Sequence, residues 1–576
     1  MNPTSRRGFL RQGLASATAL GALSKAAQAE PRADALSPPP AAPAVQTPAV
    51  AEFSLAPAPV RTGFGGVGFH AQMLLADATQ DFEDQVLAKR WRELNPRFAR
   101  IFHSWLPDQP GTRDPKVLAA LARQMVMMKE GAGTEIYLTT GGLKETNSNE
   151  DLRSYASAVA DDLEYLQNAG ATNLKWYCCT NELSLIEWAD MHNDLPRYRA
   201  YHAAIAEEIK RRSLGIKLLA TDASPVGYWG TLDWASKNMD DITGVYGGHH
   251  YINEEAPDNL GFYKWFLGRC QWAVGLAKGR GKDFILGEFG PAQYFDLKYG
   301  IRWDACKYFD TPLEGMAGLQ LAEAAMAAIN AGVYSMGYWT FNDYPDRPEE
   351  HSINHWGVFK WLTNGALTRA PYYSYGLLTK FFRGPGTVFQ VESEEDLVRV
   401  AALQHDEGKT WSIAVLNRQS QAARISIRLG DLQDSRPFRK YSYDPSHIPT
   451  TDDGDLQEPV GKVAPSDGKL TDTVEAATLA VYTTAYDDNT PAAVKGLEIK
   501  AIQDTRTSGA TASANRLRWT PSAEPDLCYY RIYHDGVRIG STAVTEYIDS
   551  GPDHHRKGPY AVVAVNRSGN PGPRKL

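Results

Sequence analysis

From about residue 62 to residue 375, short apolar runs alternate with longer stretches whose apolar residues recur at spacings of three and four. The runs read as strands at Gly65 to His70, Phe98 to His103, Glu135 to Thr140, Leu174 to Cys179, Lys217 to Thr221, Ile242 to His249, Phe284 to Leu286 and Tyr334 to Thr340. Between them, Leu118 to Lys129, Leu152 to Ala169, Arg197 to Arg212 and Leu319 to Ala331 carry the period of helices with one buried face. Eight strand-helix repeats in this space predict a closed (β/α)8 barrel over residues 60–376. No Gly-rich dinucleotide fingerprint follows the first strand, which argues against an open doubly wound sheet.

After Leu377 the period changes to two. Leu397 to Leu403, Trp411 to Leu416, Arg424 to Leu429 and Leu479 to Tyr482 are short alternating runs separated by polar turns, which predicts a β-sandwich over 377–487. A polar, Pro-containing linker (487–493) leads into the last segment, 492–576. There Leu517-Arg518-Trp519, Tyr530-Arg531-Ile532-Tyr533 and the run Tyr560 to Asn566 resemble a fibronectin type III module, with its core tryptophan and tyrosine corner. That resemblance implies architecture alone, because such modules host many functions.

The N-terminus breaks the pattern. Ser5-Arg6-Arg7-Gly8-Phe9-Leu10 precedes a weakly apolar run from Leu14 to Leu23 and then Ala27-Gln28-Ala29, a small-residue cleavage pattern. Residues 1–29 therefore read as a twin-arginine export signal and 30–59 as a Pro/Ala-rich spacer, so a periplasmic or secreted protein is expected. No other stretch has the length of a membrane span.

Charge and cysteine usage narrow the function. The 60 Lys and Arg against 68 Asp and Glu give a formal net charge of -8 without a basic stripe, which argues against nucleic acid as a partner. The 14 Trp and 28 Tyr suit a protein that stacks flat faces of a ligand as well as filling cores. The five cysteines do not make a disulfide framework. Cys178 and Cys179 read as buried small hydrophobes, a Cys270–Cys306 pair stays open, and Cys528 has no evident partner.

Candidate chemistry sits at two strand ends. Phe284-Ile285-Leu286-Gly287-Glu288-Phe289-Gly290 is an apolar run that stops at one acid between glycines, and Leu174-Lys175-Trp176-Tyr177-Cys178-Cys179-Thr180 ends in Asn181-Glu182. Counted along the barrel, Glu182 closes the fourth strand and Glu288 the seventh, so both are expected on one rim. Paired carboxylates across a pocket are what glycosidic cleavage requires: one protonates the leaving oxygen and the other attacks the anomeric carbon.

With these motifs in their order, the sequence resembles clan A of the retaining glycoside hydrolases, most closely family 39. Asn181-Glu182 matches the Asn-Glu that ends strand four, and Glu288 matches the nucleophile that ends strand seven. Asp241 followed by His249-His250-Tyr251 resembles the strand-six element, and Arg100 with His103 the strand-two arginine and histidine. Tyr338-Trp339-Thr340-Phe341-Asn342-Asp343 resembles the strand-eight tryptophan platform. Trp356-Gly357-Val358-Phe359 and Arg369-Ala370-Pro371-Tyr372-Tyr373 resemble the return segment before the sandwich, and the three-domain order is similar to that of α-L-iduronidases.

The resemblance implies Glu182 as acid/base and Glu288 as nucleophile. It further implies Asn181 on the sugar 2-hydroxyl, Tyr251 holding Glu288, Trp339 stacking a sugar face, and His249, Arg100 and His103 in the substrate site; no cofactor is implied. One departure is local: the family places Pro, often with Asn, after the acid/base glutamate, where Leu183 and Ser184 stand here. His70, Gly68 and the Thr139-Thr140-Gly141-Gly142 segment match no single specificity.

Two rival readings bear on the same residues. His351 and His355 stand four apart and His249 and His250 are adjacent, but the helical HExxH pattern is absent, so loop or subsite histidines are expected rather than a metal centre. A non-catalytic carbohydrate-binding protein is the second. For substrate, the acids of Tyr344 to His355 disfavour an anionic sugar, so a neutral glycoside such as a xyloside or arabinoside, released from a chain end, is expected. Endo action on an exopolysaccharide and a uronic-acid glycosidase are the alternatives.

Overall fold

The computed structural model describes residues 50–71, 73–103, 114–140, 149–183, 195–252, 260–290, 315–347, 352–392, 395–406, 410–429, 436–451, 453–504, 512–550 and 558–575. The twin-arginine segment, Ser184, Cys306 and His351 lie outside them. A first strand, β1 (Val50–Arg61), precedes eight parallel strands that close into a barrel in chain order. These are β2 (Gly66–His70), β3 (Phe98–His103), β4 (Glu135–Thr140), β5 (Leu174–Cys178), β6 (Lys217–Ala223), β7 (Val245–Tyr251), β8 (Phe284–Gly290) and β9 (Ser335–Trp339).

Each expected strand is present, with ends shifted by a few residues. The intervening helices are α1 (Ala88–Leu94), α2 (Pro115–Ala132), α3 (Asn149–Asn168), α4 (Leu195–Arg211), α5 (Gly230–Asn238), α6 (Phe262–Lys278) and α7 (Gly315–Asn330). Local chemistry sets their limits. In α2, Pro115 occupies the first turn where no N–H is needed, Asp114 accepts from the Lys116 amide at 2.8 Å, and Gly133 at φ 61° ends the helix.

The barrel interior is layered. Phe98, Tyr137, Trp176, Cys178, Leu219, Val245 and Ile285 fill its lower part with apolar side chains. The next inward-facing positions on several of these strands carry Arg100, Asp222, His249 and Glu288 instead. A charged layer thus rests on an apolar floor, at the end of the barrel where the strands finish.

Beyond the barrel, α8 (Ala370–Phe381) leads into a nine-stranded sheet. Its strands are β1 together with β12 (Gly386–Glu392), β13 (Val398–His405), β14 (Trp411–Asn417), β15 (Ala423–Arg428), β16 (Phe438–Tyr443), β17 (Gly461–Val463), β18 (Lys469–Val474) and β19 (Thr478–Thr483). The small antiparallel pair β10 (Tyr344–Arg347) and β11 (Ser352–Asn354) lies before α8. β1 corrects the sequence reading, which placed a spacer to residue 59. It pairs in parallel with β15 from Val50↔Arg424 to Ser54↔Arg428 and antiparallel with β12. Its prolines misled the reading: they occupy the irregular register opposite β12, where ladder donors are dispensable.

Helix α7 shows why the two domains act as one body. Every residue from Ala317 to Ile329 is buried, because the barrel covers one side and the sandwich the other. Its alanine-rich sequence allows that close approach on both faces.

The C-terminal segment forms two three-stranded antiparallel sheets, β20 (Glu498–Asp504), β21 (Ala512–Arg518) and β24 (Glu546–Asp549) against β23 (Val537–Thr542), β22 (Leu527–His534) and β25 (Tyr560–Asn566). Leu517, Trp519, Tyr530, Ile532 and Val562 form its core. No described helix is long and apolar enough to cross a membrane.

Candidate active site

The two glutamates predicted from the sequence meet at the charged end of the barrel. A carboxylate oxygen of Glu182, one of Glu288 and a ring nitrogen of His249 all lie within 4.8 Å of one another. Glu182 follows β5 in a left-handed conformation (φ 55°) and is the more solvent-accessible of the pair.

Glu288 reaches the interior through a break in strand alternation. On β8, Phe284, Leu286 and Phe289 pack into the outer core while Ile285 faces inward, so strict alternation would send Glu288 outward. The register slips between Gly248 and His249 in the β7–β8 ladder and between Leu286 and Phe289 in the β8–β9 ladder. This bulge turns both Gly287 and Glu288 toward the barrel axis. Gly287 has to be glycine there, because a Cβ would come within 2.9 Å of His249 Nε2 and 3.1 Å of Asp222 Oδ1.

Arg100 organises the layer. Its Nη1 donates to Glu288 Oε2 at 2.8 Å and to His70 Nδ1 at 3.0 Å, and its Nη2 donates to Asn181 Oδ1 at 2.6 Å and to Asp222 Oδ2 at 2.7 Å. Burial opposes its charge, but Asp222 and Glu288 more than offset this and hold it well above the usual guanidinium range.

Tyr251 donates to the other oxygen of Glu288, Oε1, at 2.8 Å. His249 Nδ1 lies 3.1 Å from Glu288 Oε2 and 3.3 Å from Glu182 Oε1, and its Nε2 lies 2.8 Å from Asp222 Oδ1. Burial disfavours the imidazolium, yet Asp222 and Glu288 raise His249 to about 9. Asp222, buried but facing two cations, falls to about 2. For Glu288 burial is the largest influence and raises it, against the pull of Arg100 and His249.

The remaining expectations divide. Trp339 borders the site, packed on His70 with ring centroids 4.2 Å apart and clustered with Tyr251 and Trp356. His103 Nε2 lies 3.0 Å from Asp162 of α3 and its Nδ1 3.3 Å from Thr140, contacts that tie it to the barrel wall. Asp241 is a correction, because it sits in the exposed turn before β7, at the opposite end from His249, within 3.9 Å of Arg199. Leu183, where the family pattern has proline, is buried. Cys270 is a buried free thiol.

Asp222 is the residue the sequence reading missed. The predicted strand stopped at Thr221, one residue short. In the structure Asp222 adopts φ 57° and the β6–β7 register shifts between Thr221 and Ala223, which aims its carboxylate inward. An acid ending the apolar run Leu218-Leu219-Ala220 was the available signal.

Glu182, His249 and Glu288 have the element types and proximity of a metal triad. The surroundings do not fit one: His249 Nε2 lies against the buried Asp222 carboxylate, and Arg100 already donates to the Glu288 oxygen that His249 Nδ1 approaches.

No family model and no curated protein matches the sequence. Solved structures do match in fold. A glycoside hydrolase family 30 subfamily 8 xylanase from Clostridium acetobutylicum aligns over 75% of this chain and 99% of its own, at 14% identity and a TM-score of 0.53. A bacterial orthologue of human α-L-iduronidase aligns over 90% of this chain and 98% of its own, at 12% identity and a TM-score of 0.57. An endo-β1,6-glucanase aligns over 76% and 94%, at 10% identity and a TM-score of 0.53. The chain therefore has the barrel-plus-β-domain fold of these enzymes.

Proposed function

We propose that this protein is a retaining glycoside hydrolase, with Glu288 as nucleophile and Glu182 as acid/base. The observation that carries the reading is the carboxylate pair on one rim with oxygens within 4.8 Å. Retaining enzymes hold their carboxyl groups about 5–5.5 Å apart, whereas inverting ones need room for an intervening water.

Glu288 attacks the anomeric carbon as the glycosidic C–O bond breaks, and the leaving oxygen takes the proton of Glu182. Glu182, now a carboxylate, removes a proton from water, the resulting hydroxide adds to the same carbon, and the ester bond returns its electrons to Glu288. Tyr251 and Arg100 fix both oxygens of Glu288 at 2.8 Å, so attack needs little reorientation. Asn181, anchored by Arg100, is set to meet the sugar 2-hydroxyl, and Trp339 offers a stacking face.

Within this class, the neutral-sugar, chain-end reading made from the sequence is retained. An endoxylanase and an endo-β1,6-glucanase among the fold neighbours favour endo action as the second reading. A panel of aryl glycosides and polysaccharides separates them: release of monosaccharide alone supports the first, and a ladder of oligosaccharides the second. Binding without turnover across the panel would point to a carbohydrate-binding protein. The twin-arginine pattern supports export, and the C-terminal strand order supports the fibronectin-like assignment. Secretion of the full chain, blocked by Arg6→Lys with Arg7→Lys, tests the export signal.

A further inference from the structure

We infer that Asp222 is a positioning residue that keeps the His249 ring doubly protonated, so that its Nδ1–H faces whichever of Glu182 and Glu288 carries the negative charge as the reaction proceeds. This rests on the glycosidase reading and deepens it.

Two cations and two anions share the buried layer: Arg100 and His249 against Asp222 and Glu288, with Glu182 at the edge. In the double displacement proposed above, the attacking Glu288 is a carboxylate and Glu182 supplies a proton. When Glu288 becomes an ester, its charge disappears and Glu182, having protonated the leaving oxygen, becomes the anion. The negative charge has moved from one glutamate to the other across the space that His249 Nδ1 spans, 3.1 Å from one and 3.3 Å from the other.

A histidine whose only anionic partners were those two would have no fixed counter-charge while the proton is in transit between them. Asp222 prevents this. It is completely buried, touches no reacting atom, and meets His249 Nε2 at 2.8 Å and Arg100 Nη2 at 2.7 Å, so its charge is constant through the cycle. The fold commits to this contact: the backbone at Asp222 is left-handed, and Gly287 leaves just the room that the pair fills. The groups facing the ring from neighbouring strands are Asp222 on β6, Glu288 on β8, Arg100 on β3 and Glu182 after β5; burial and then Arg100 oppose the ring's charge, and Asp222 and Glu288 favour it.

The test is a titration of the histidine rings by nitrogen-15 NMR on the whole protein, with the His249 signal identified by its loss in His249→Gln. In the unsubstituted protein both ring nitrogens are expected to stay protonated to about pH 9. A ring that loses its proton near the ordinary histidine value of about 6.5 overturns the inference with no variant required.

In Asp222→Asn the ring is expected to titrate at least about two pH units lower. The alkaline limb of kcat/KM should move down with it, and kcat should fall on the order of 10²-fold with KM little changed. A folded Asp222→Asn protein with an unmoved ring titration and pH profile also overturns it. Turnover with an ordinary His249 titration defeats this inference and leaves the glycosidase reading intact; a charged His249 in a protein that cleaves no glycoside defeats that reading and the role derived from it.

Discussion

Two buried clusters of charge lie in different parts of the molecule, one inside the barrel and one against its outer face, and they differ in what their carboxylates face. At the strand ends, Arg100, Asp222, His249 and Glu288 form the layer beneath Glu182. On the outside of the barrel, Lys89 of α1 meets Glu93 at 2.9 Å and Asp455 at 2.5 Å. Asp455 also accepts from Tyr529 at 3.0 Å, Arg531 at 3.1 Å and Arg538 at 2.7 and 3.0 Å.

The second cluster joins barrel, sandwich and C-terminal module, and cations saturate its aspartate. Burial opposes the Asp455 charge, but Lys89 and Arg538 hold its carboxyl far below the ordinary range. An aspartate held ionised among cations suits a clamp. The first cluster instead contains a histidine displaced upward and a glutamate raised by burial, as the proposed proton-transfer chemistry would use. Burial of charge alone therefore does not mark an active site; an unequal set of ionisations facing a cleft does.

The largest expected effect separates the clusters by activity. Glu288→Gln should abolish measurable turnover while circular dichroism and the melting temperature stay near those of the parent. Glu182→Gln should slow poor leaving groups on the order of 10²–10⁴-fold but spare activated aryl glycosides, read as a slope against leaving-group acidity.

Asp455→Ala should do the reverse, costing about 3–5 kcal/mol in denaturant unfolding by stranding buried cations while leaving the pH profile of turnover in place. The depressed Asp455 contributes stability that is present above its unfolded value of about 3.9 and is lost as pH falls below it. His249 has the opposite sign. Its raised value gives stability that is complete below about pH 6.5 and is lost as pH rises through about 9, on the order of 3 kcal/mol. Melting curves of His249→Gln should lack that alkaline decline.

Gly287→Ala should cost about 1–3 kcal/mol by overpacking, and should also lower kcat because the added methyl displaces the His249–Asp222 pair. The smallest effect is the control: Lys237→Ala breaks an exposed pair with Asp233 and should change stability by less than about 1 kcal/mol.

The barrel was legible because its strands are buried on both faces and read as continuous apolar runs. Glu182 and Glu288 were legible as acids that end such runs, and Tyr251 and Arg100 followed from the family pattern. What escaped was set by backbone geometry rather than residue type. Asp222 points inward through one left-handed residue and a register slip, neither of which has a signature in Thr221-Asp222-Ala223. The contact of His103 with Asp162 on α3 was equally hidden, because only packing decides it. β1 was hidden by its prolines, since its pairing partners lie more than 300 positions downstream.

The most direct test of the carboxylate pair is the anomeric configuration of the first-formed product. With the aryl glycoside that the panel identifies as a substrate, proton NMR should show the product appearing with the configuration of the glycoside and only later mutarotating to equilibrium. Product that first appears with inverted configuration would contradict double displacement through Glu288.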